Sequence, residues 1–105
     1  MGYRTYVGEI DEQRLAKALE DENPYAVFEN NTEICYTDIG FFSLAKEFGF
    51  YDEKQVDWGS FFWRCKGIDL LRMIEKKKYN IIPAKEIDPE KEYGIVHVEL
   101  IMNAY

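Results

Sequence analysis

The period of the apolar positions changes several times along this chain, and each change marks an element. Tyr3, Thr5 and Val7 fall on one side of the opening segment, and Arg4 and Tyr6 fall on the other. β-forming residues at period two predict a strand over residues 3–10. Asp11 then offers a helix N-cap, with Glu12 near the positive end of the helix dipole. Ile10 and Leu15 have the spacing of a hydrophobic staple, and Leu15, Ala18 and Leu19 form an apolar stripe reaching to about Glu20. Asn23-Pro24 ends this helix, because the residue before a proline avoids helical geometry.

Residues 25–29 and 33–37 flank Asn30-Asn31-Thr32. Asparagine tolerates positive φ, so the stretch reads as a hairpin, with Phe28, Ile34 and Tyr36 as candidates for its buried face. Thr37 or Asp38 caps a second helix, and Gly49 closes it. Between them Phe41, Leu44, Ala45 and Phe48 recur at helical spacing and should face the core. Residues 50–67 show no clean period; Phe61 to Cys65 suggest a short strand that Gly67 breaks. A third helix is expected from Asp69 to about Tyr79, with Leu70, Met73 and Ile74 inward and Lys76, Lys77 and Lys78 at its negative end. Asp88-Pro89-Glu90-Lys91 reads as a turn. In the closing strand, residues 94–102, Ile95, His97, Glu99 and Ile101 alternate with Val96, Val98, Leu100 and Met102.

This order predicts an α+β fold with a mostly antiparallel sheet and two to three helices packed on one face. A ferredoxin-like βαββαβ plan with an extra helix is one topology that accommodates it. The 105 residues fit a single domain. With 47% hydrophobic and 16% aromatic residues, the chain has what a core requires.

Cys35 and Cys65 are the only cysteines, too few for a disulfide-stapled secreted fold. The N-terminus has no signal-peptide apolar run, and no stretch approaches the roughly 20 apolar residues that span a bilayer. Gly2 follows Met1, but position 6 is Tyr6 where a myristoylation signal wants Ser or Thr. Asn30-Asn31-Thr32 matches a glycosylation acceptor that is idle without secretion. These features point to the cytoplasm and away from a membrane.

Charge sharpens the picture. The net charge is −7, and residues 1–63 carry 13 acids against 5 bases while residues 64–105 carry 7 against 8. No base appears between Lys17 and Lys46, although Glu20, Asp21, Glu22, Glu29, Glu33 and Asp38 do. Such a stretch repels nucleic acid and attracts basic surfaces, so direct nucleic-acid binding is not expected. The cluster Arg64, Lys66, Arg72 and Lys76 to Lys78 makes an opposite patch; with Asp69 and Glu75 it has a net charge of +4.

Catalytic and cofactor signatures are missing. His97 is the only histidine and shares a strand face with Glu99, a pair that could do acid–base chemistry or simply be satisfied within the sheet. Cys35, Cys65 and His97 stand about thirty residues apart, unlike the paired ligands of zinc sites. There is no Gly-x-Gly-x-x-Gly or Gly-x-x-x-x-Gly-Lys, and Gly59-Ser60 lacks the second glycine of a nucleophile elbow. No metal and no cofactor are expected.

Seven aromatics fall within residues 48–63: Phe48, Phe50, Tyr51, Trp58, Phe61, Phe62 and Trp63. Most suit a core, but Trp58, between Asp57 and Gly59, suits an exposed anchor. The expected function is therefore protein–protein interaction: an inhibitor of a basic, nucleic-acid-handling protein, with the acids Glu20, Asp21, Glu22, Glu29, Glu33 and Asp38 standing in for phosphates and Trp58 as anchor. By size and charge it is similar in type to bacterial immunity proteins and phage inhibitors of host defence, a likeness that transfers no residue. A small enzyme or ligand-binding domain using His97 and Glu99 is the first alternative. The second is a structural subunit of a homo-oligomer, the oligomeric state being open.

Overall fold

A computed structural model of the chain describes residues 3–29, 31–35, 41–77 and 87–99. The first strand, β1 (Tyr3–Glu9), leads into α1 (Glu12–Glu20). The Asp11 carboxylate caps α1 by accepting from the Gln13 and Arg14 amides at 3.0 and 3.2 Å. At the other end Glu22 takes a left-handed φ of 53°, and the Asn23 amide returns to the Ala18 carbonyl at 2.9 Å. These contacts stop α1 just before Pro24.

The structure corrects the hairpin expected over residues 25–37. Asn23 accepts from the Tyr25 amide at 3.1 Å and starts a 3-10 turn, Pro24–Ala26, whose proline has the φ such a turn needs. Val27 and Phe28 then pack beneath α1 instead of pairing in a strand. Asn31 and Thr32 belong to β2 (Asn31–Cys35), which pairs antiparallel with β1 through Arg4↔Cys35 to Gly8↔Asn31. Tyr36, and the caps expected at Thr37 and Asp38, lie outside the described residues.

The next helix, α2 (Phe41–Glu47), buries its predicted stripe of Phe41, Leu44, Ala45 and Phe48. Gly49, at φ 73°, closes it as the Phe50 amide returns to the Ala45 carbonyl at 2.9 Å. The unreadable segment resolves into a hairpin of β3 (Tyr51–Asp57) and β4 (Ser60–Lys66). Without a breaker, α3 (Gly67–Lys77) follows directly, and it buries Leu70, Met73 and Ile74. The expected turn at residues 88–91 closes on the Lys91 amide and the Asp88 carbonyl at 3.1 Å, and it feeds β5 (Glu92–Glu99).

All pairings are antiparallel, in the order β2-β1-β5-β4-β3. The fold class is α+β. The last strand sits between β1 and β4, and β2 adds an outer strand, so the arrangement differs from a ferredoxin-like βαββαβ sheet. Every residue of β5 from Tyr93 to Val98 is buried, because the sheet is covered on both sides. On one side α2 and α3 pack over Val7, Trp63, Cys65, Tyr93 and Ile95. On the other, α1 with Val27 and Phe28 packs over Val56, Phe62, Val96 and Val98. Two helices thus share one face, and α1 takes the opposite one.

Candidate functional site

Cross-strand register decides what each candidate residue can reach. Thr5, His97 and Phe61 form one row across β1, β5 and β4, on the face covered by α2 and α3. His97 is only 1% exposed. Its Nδ1 shares a 3.0 Å hydrogen bond with the Thr5 hydroxyl, and its ring stacks on Phe41 with centroids 4.8 Å apart and planes within 9°. The Phe42 ring meets it edge-on at 6.4 Å. Burial lowers the imidazole pKa to about 4, so at neutral pH the ring is an uncharged part of the core. Glu99 ends β5, and its side chain lies outside the described residues.

Trp58 is the opposite case. It occupies the tip of the β3–β4 hairpin and, at 70% exposure, is the most exposed of the large hydrophobic residues described. Asp57 builds the turn beneath it, accepting from the Gly59 amide at 2.9 Å and from the Ser60 hydroxyl at 2.7 Å. Ser60 is itself fully buried, so the indole projects from a fixed base. Of the other aromatics in residues 48–63, Phe48, Phe50, Phe62 and Trp63 are buried, Phe61 is half-buried and Tyr51 is exposed.

The acidic residues are placed in different parts of the fold. Glu20, Asp21 and Glu22 are exposed at the C-terminus of α1. That helix starts at Arg64, through Glu12, and packs Leu15 and Ala18 in the cluster containing Val56, Phe62 and Val98, so it runs toward the Trp58 end of the hairpin. Glu29 is also exposed but follows Phe28, which lies against Gly94 at the level of Arg64. It therefore belongs to the other end of the sheet. Glu33 is opposite Tyr6 in the β2–β1 pairing, and Asp38 is outside the described residues.

Among the described residues the most connected charged group is Arg64, which the sequence placed in a basic patch without showing its role. Arg64 projects from β4 on the α1 side, shielded to 15% exposure. Its guanidinium donates to both Glu12 oxygens at 2.6 and 2.7 Å and to Asp52 at 2.6 Å, and it approaches Glu92 at 3.5 Å. It also lies 5.8 Å from the Phe62 ring centroid. These hydrogen bonds from Arg64 hold the Glu12 and Asp52 carboxyls below their usual range and raise the guanidinium pKa. Tyr51 donates to Glu92, which pushes the phenol up to about 12. A β-bulge aims Asp52 at Arg64: the register shifts between Tyr51 and Lys54, and Asp52 adopts a φ of 58°. Alternation offers one clue to this role, since Arg64 shares its strand face with Phe62 and not with Trp63 and Cys65.

Arg64 thus joins α1, β3, β4 and β5 and is not part of a free basic patch. Lys76 pairs with Glu47, and Arg72 with Asp69 at 3.5 Å, which further divides the cluster read from the sequence. Arg64→Ala should lower stability by about 2 kcal/mol, the range for charge-assisted hydrogen bonds discounted for their solvent-exposed ends. Urea unfolding would measure it, and a change under about 0.5 kcal/mol would remove the structural role given to this group.

Cys65 is a free, buried thiol raised to about 12 by burial, with Asp69 and Glu92 adding to the shift. It is therefore a poor nucleophile at neutral pH. Among the described residues, no group of three or more His, Cys, Asp or Glu is placed to hold a metal ion, and no helix is long and apolar enough to cross a membrane. No known protein family, curated protein or solved structure matches the chain.

Proposed function

We propose that this chain is a non-catalytic binding module, an inhibitor that docks on the basic surface of a nucleic-acid-handling protein. The observation that carries this reading is Trp58, an exposed indole on a turn fixed by Asp57, in a chain of net charge −7. Indoles presented from rigid bases lose little entropy on binding and are prominent among interface hot spots. Glu20, Asp21 and Glu22 leave α1 toward the same end of the sheet, where they would steer a basic partner into contact. Carboxylates can occupy the positions that phosphates take in such a groove. Size and charge suit the immunity-protein or phage anti-defence type. The buried free thiol of Cys65 suits a reducing cytoplasm.

The enzyme alternative has less behind it. His97 is packed under Phe41 and bonded to Thr5, with its pKa lowered by burial, whereas a general base must reach its substrate.

The test begins with the tagged chain as bait in extracts of the source cell and its relatives. It should recover a basic protein that a Glu20→Lys, Asp21→Lys, Glu22→Lys variant fails to hold. With that partner purified, the triple variant should associate about tenfold more slowly at low ionic strength, and the difference should shrink as salt is added. An unchanged association rate at low salt would refute steering. Recovery of no basic partner would refute the inhibitor reading itself.

A further inference from the structure

We infer that Trp58 is the receptor for an arginine side chain of the partner, whose guanidinium stacks on the exposed indole. This inference rests on the basic-partner reading above and adds the chemistry of its central contact. The protein already places cations over two of its own rings: Arg64 over Phe62 at 5.8 Å and Lys76 over Phe48 at 5.6 Å. Trp58 has the ring type that attracts cations best. Yet among the described residues no cation and no other ring meets it.

Of the hairpin's own cations, Lys54 and Arg64 are paired with carboxylates, and Lys66 ends β4 away from the tip. Lys54 is held by Asp52 at 3.3 Å, and Arg64 by Glu12 and Asp52 at 2.6 Å. Asp57 precedes Trp58 in the same turn, and its carboxylate accepts only from the Gly59 amide and the Ser60 hydroxyl among the described hydrogen bonds. A cation from a basic partner would meet an exposed ring face on a turn that also carries the acidic residue Asp57. Arginine fits better than lysine. Its guanidinium is planar, stacks on aromatic faces and gives up water more readily than an ammonium.

The probes are a hexa-arginine and a hexa-lysine peptide, titrated into the full chain at low salt. The Trp58 indole N–H is followed by NMR, and Trp63, buried in the core, reports that the fold is intact. The arginine peptide should bind about two- to fivefold more tightly than the lysine peptide, as a solvent-exposed cation–π contact allows. The Trp58 signal should move with it. Trp58→Ala should bring the arginine peptide to the affinity of the lysine peptide while leaving the Trp63 signal in place. Equal binding of both peptides with a stationary Trp58 signal would overturn the arginine receptor and leave the basic-partner reading standing. Binding of neither peptide would overturn both.

Discussion

Gly67→Ala should destabilise the protein by about 3 kcal/mol, combining overpacking with the loss of backbone hydrogen bonds. A Cβ at this position would stand 2.0 Å from the Asp88 carbonyl oxygen, 2.9 Å from its carbon and 3.1 Å from the Pro89 Cα. These are backbone atoms, and their turn has little freedom to retreat. The Lys91 amide bonds the Asp88 carbonyl at 3.1 Å, the Asp88 carboxylate takes the Glu90 amide at 2.9 Å, and the Tyr93 hydroxyl accepts from the Asp88 amide at 2.8 Å. The same turn supplies acceptors for the start of α3: Lys91 for the Gly67 amide at 2.7 Å and Pro89 for the Ile68 amide at 3.2 Å. Pushing it away would release two donors that a helix cannot satisfy internally. Urea unfolding of the variant is the measurement. A loss under about 1 kcal/mol would mean that the turn yields easily and that the contact between α3 and residues 88–91 is loose.

Gly67 also shows how far pattern reading goes. From sequence it looks like a breaker after a strand, because glycine is a poor helix residue. In the fold it opens α3, since only a residue without Cβ lets the helix start pass the Asp88 carbonyl. That constraint comes from a segment more than twenty residues away and leaves no local trace. The stripes of α1, α2 and α3 are legible for the converse reason: each buries one face at helical spacing. Leu15, Ala18, Phe41, Leu44, Leu70 and Met73 all lie in the core. The strand β3 lacks such a signal because it is an edge strand with irregular register, and among its residues only Val56 is buried. Its charges, Asp52, Glu53 and Lys54, protect an exposed edge from pairing with other chains. The false hairpin at residues 25–37 came from asparagines that tolerate turns, whereas Asn23 and Pro24 had already committed the chain to a 3-10 turn.

The candidate site divides in the same way. Trp58 was legible because an aromatic between Asp and Gly suits the tip of a turn, and there the Asp57 side chain organises the backbone. Whether a run of acids forms one surface is not local information. It depends on α1 crossing the sheet and the following segment doubling back beneath it, which separates Glu29 from Glu20, Asp21 and Glu22. The Arg64 network is equally non-local, joining residues 12, 52, 64 and 92 across four elements.

Acid should weaken the protein from about pH 6.5 downward, and His97 is the reason. The unfolded chain takes up a proton on this residue near pH 6.5, whereas the folded protein, with the ring buried, does so only near pH 4. A histidine with a lowered folded pKa leaves stability level above pH 6.5. Stability then falls as pH drops from 6.5 to 4, because the unfolded state binds more protons there, and below pH 4 this contribution levels off. The total loss comes to about 3 kcal/mol. Glu12 and Asp52 act lower on the scale, since Arg64 holds both below the ordinary carboxylate range and their stabilisation is lost only as pH falls through those lowered values. The two effects are therefore separable. His97→Gln keeps a polar group for the Thr5 hydroxyl but cannot titrate, so it should flatten the stability profile between pH 6.5 and 4 while leaving the steeper fall at lower pH. Chemical denaturation across this range, for native and variant chains, decides the matter. A native profile as flat as the variant's would mean that the folded protein protonates His97 as easily as the unfolded chain does. The imidazole would then have access to solvent, and the case against His97 as a catalytic base would fall.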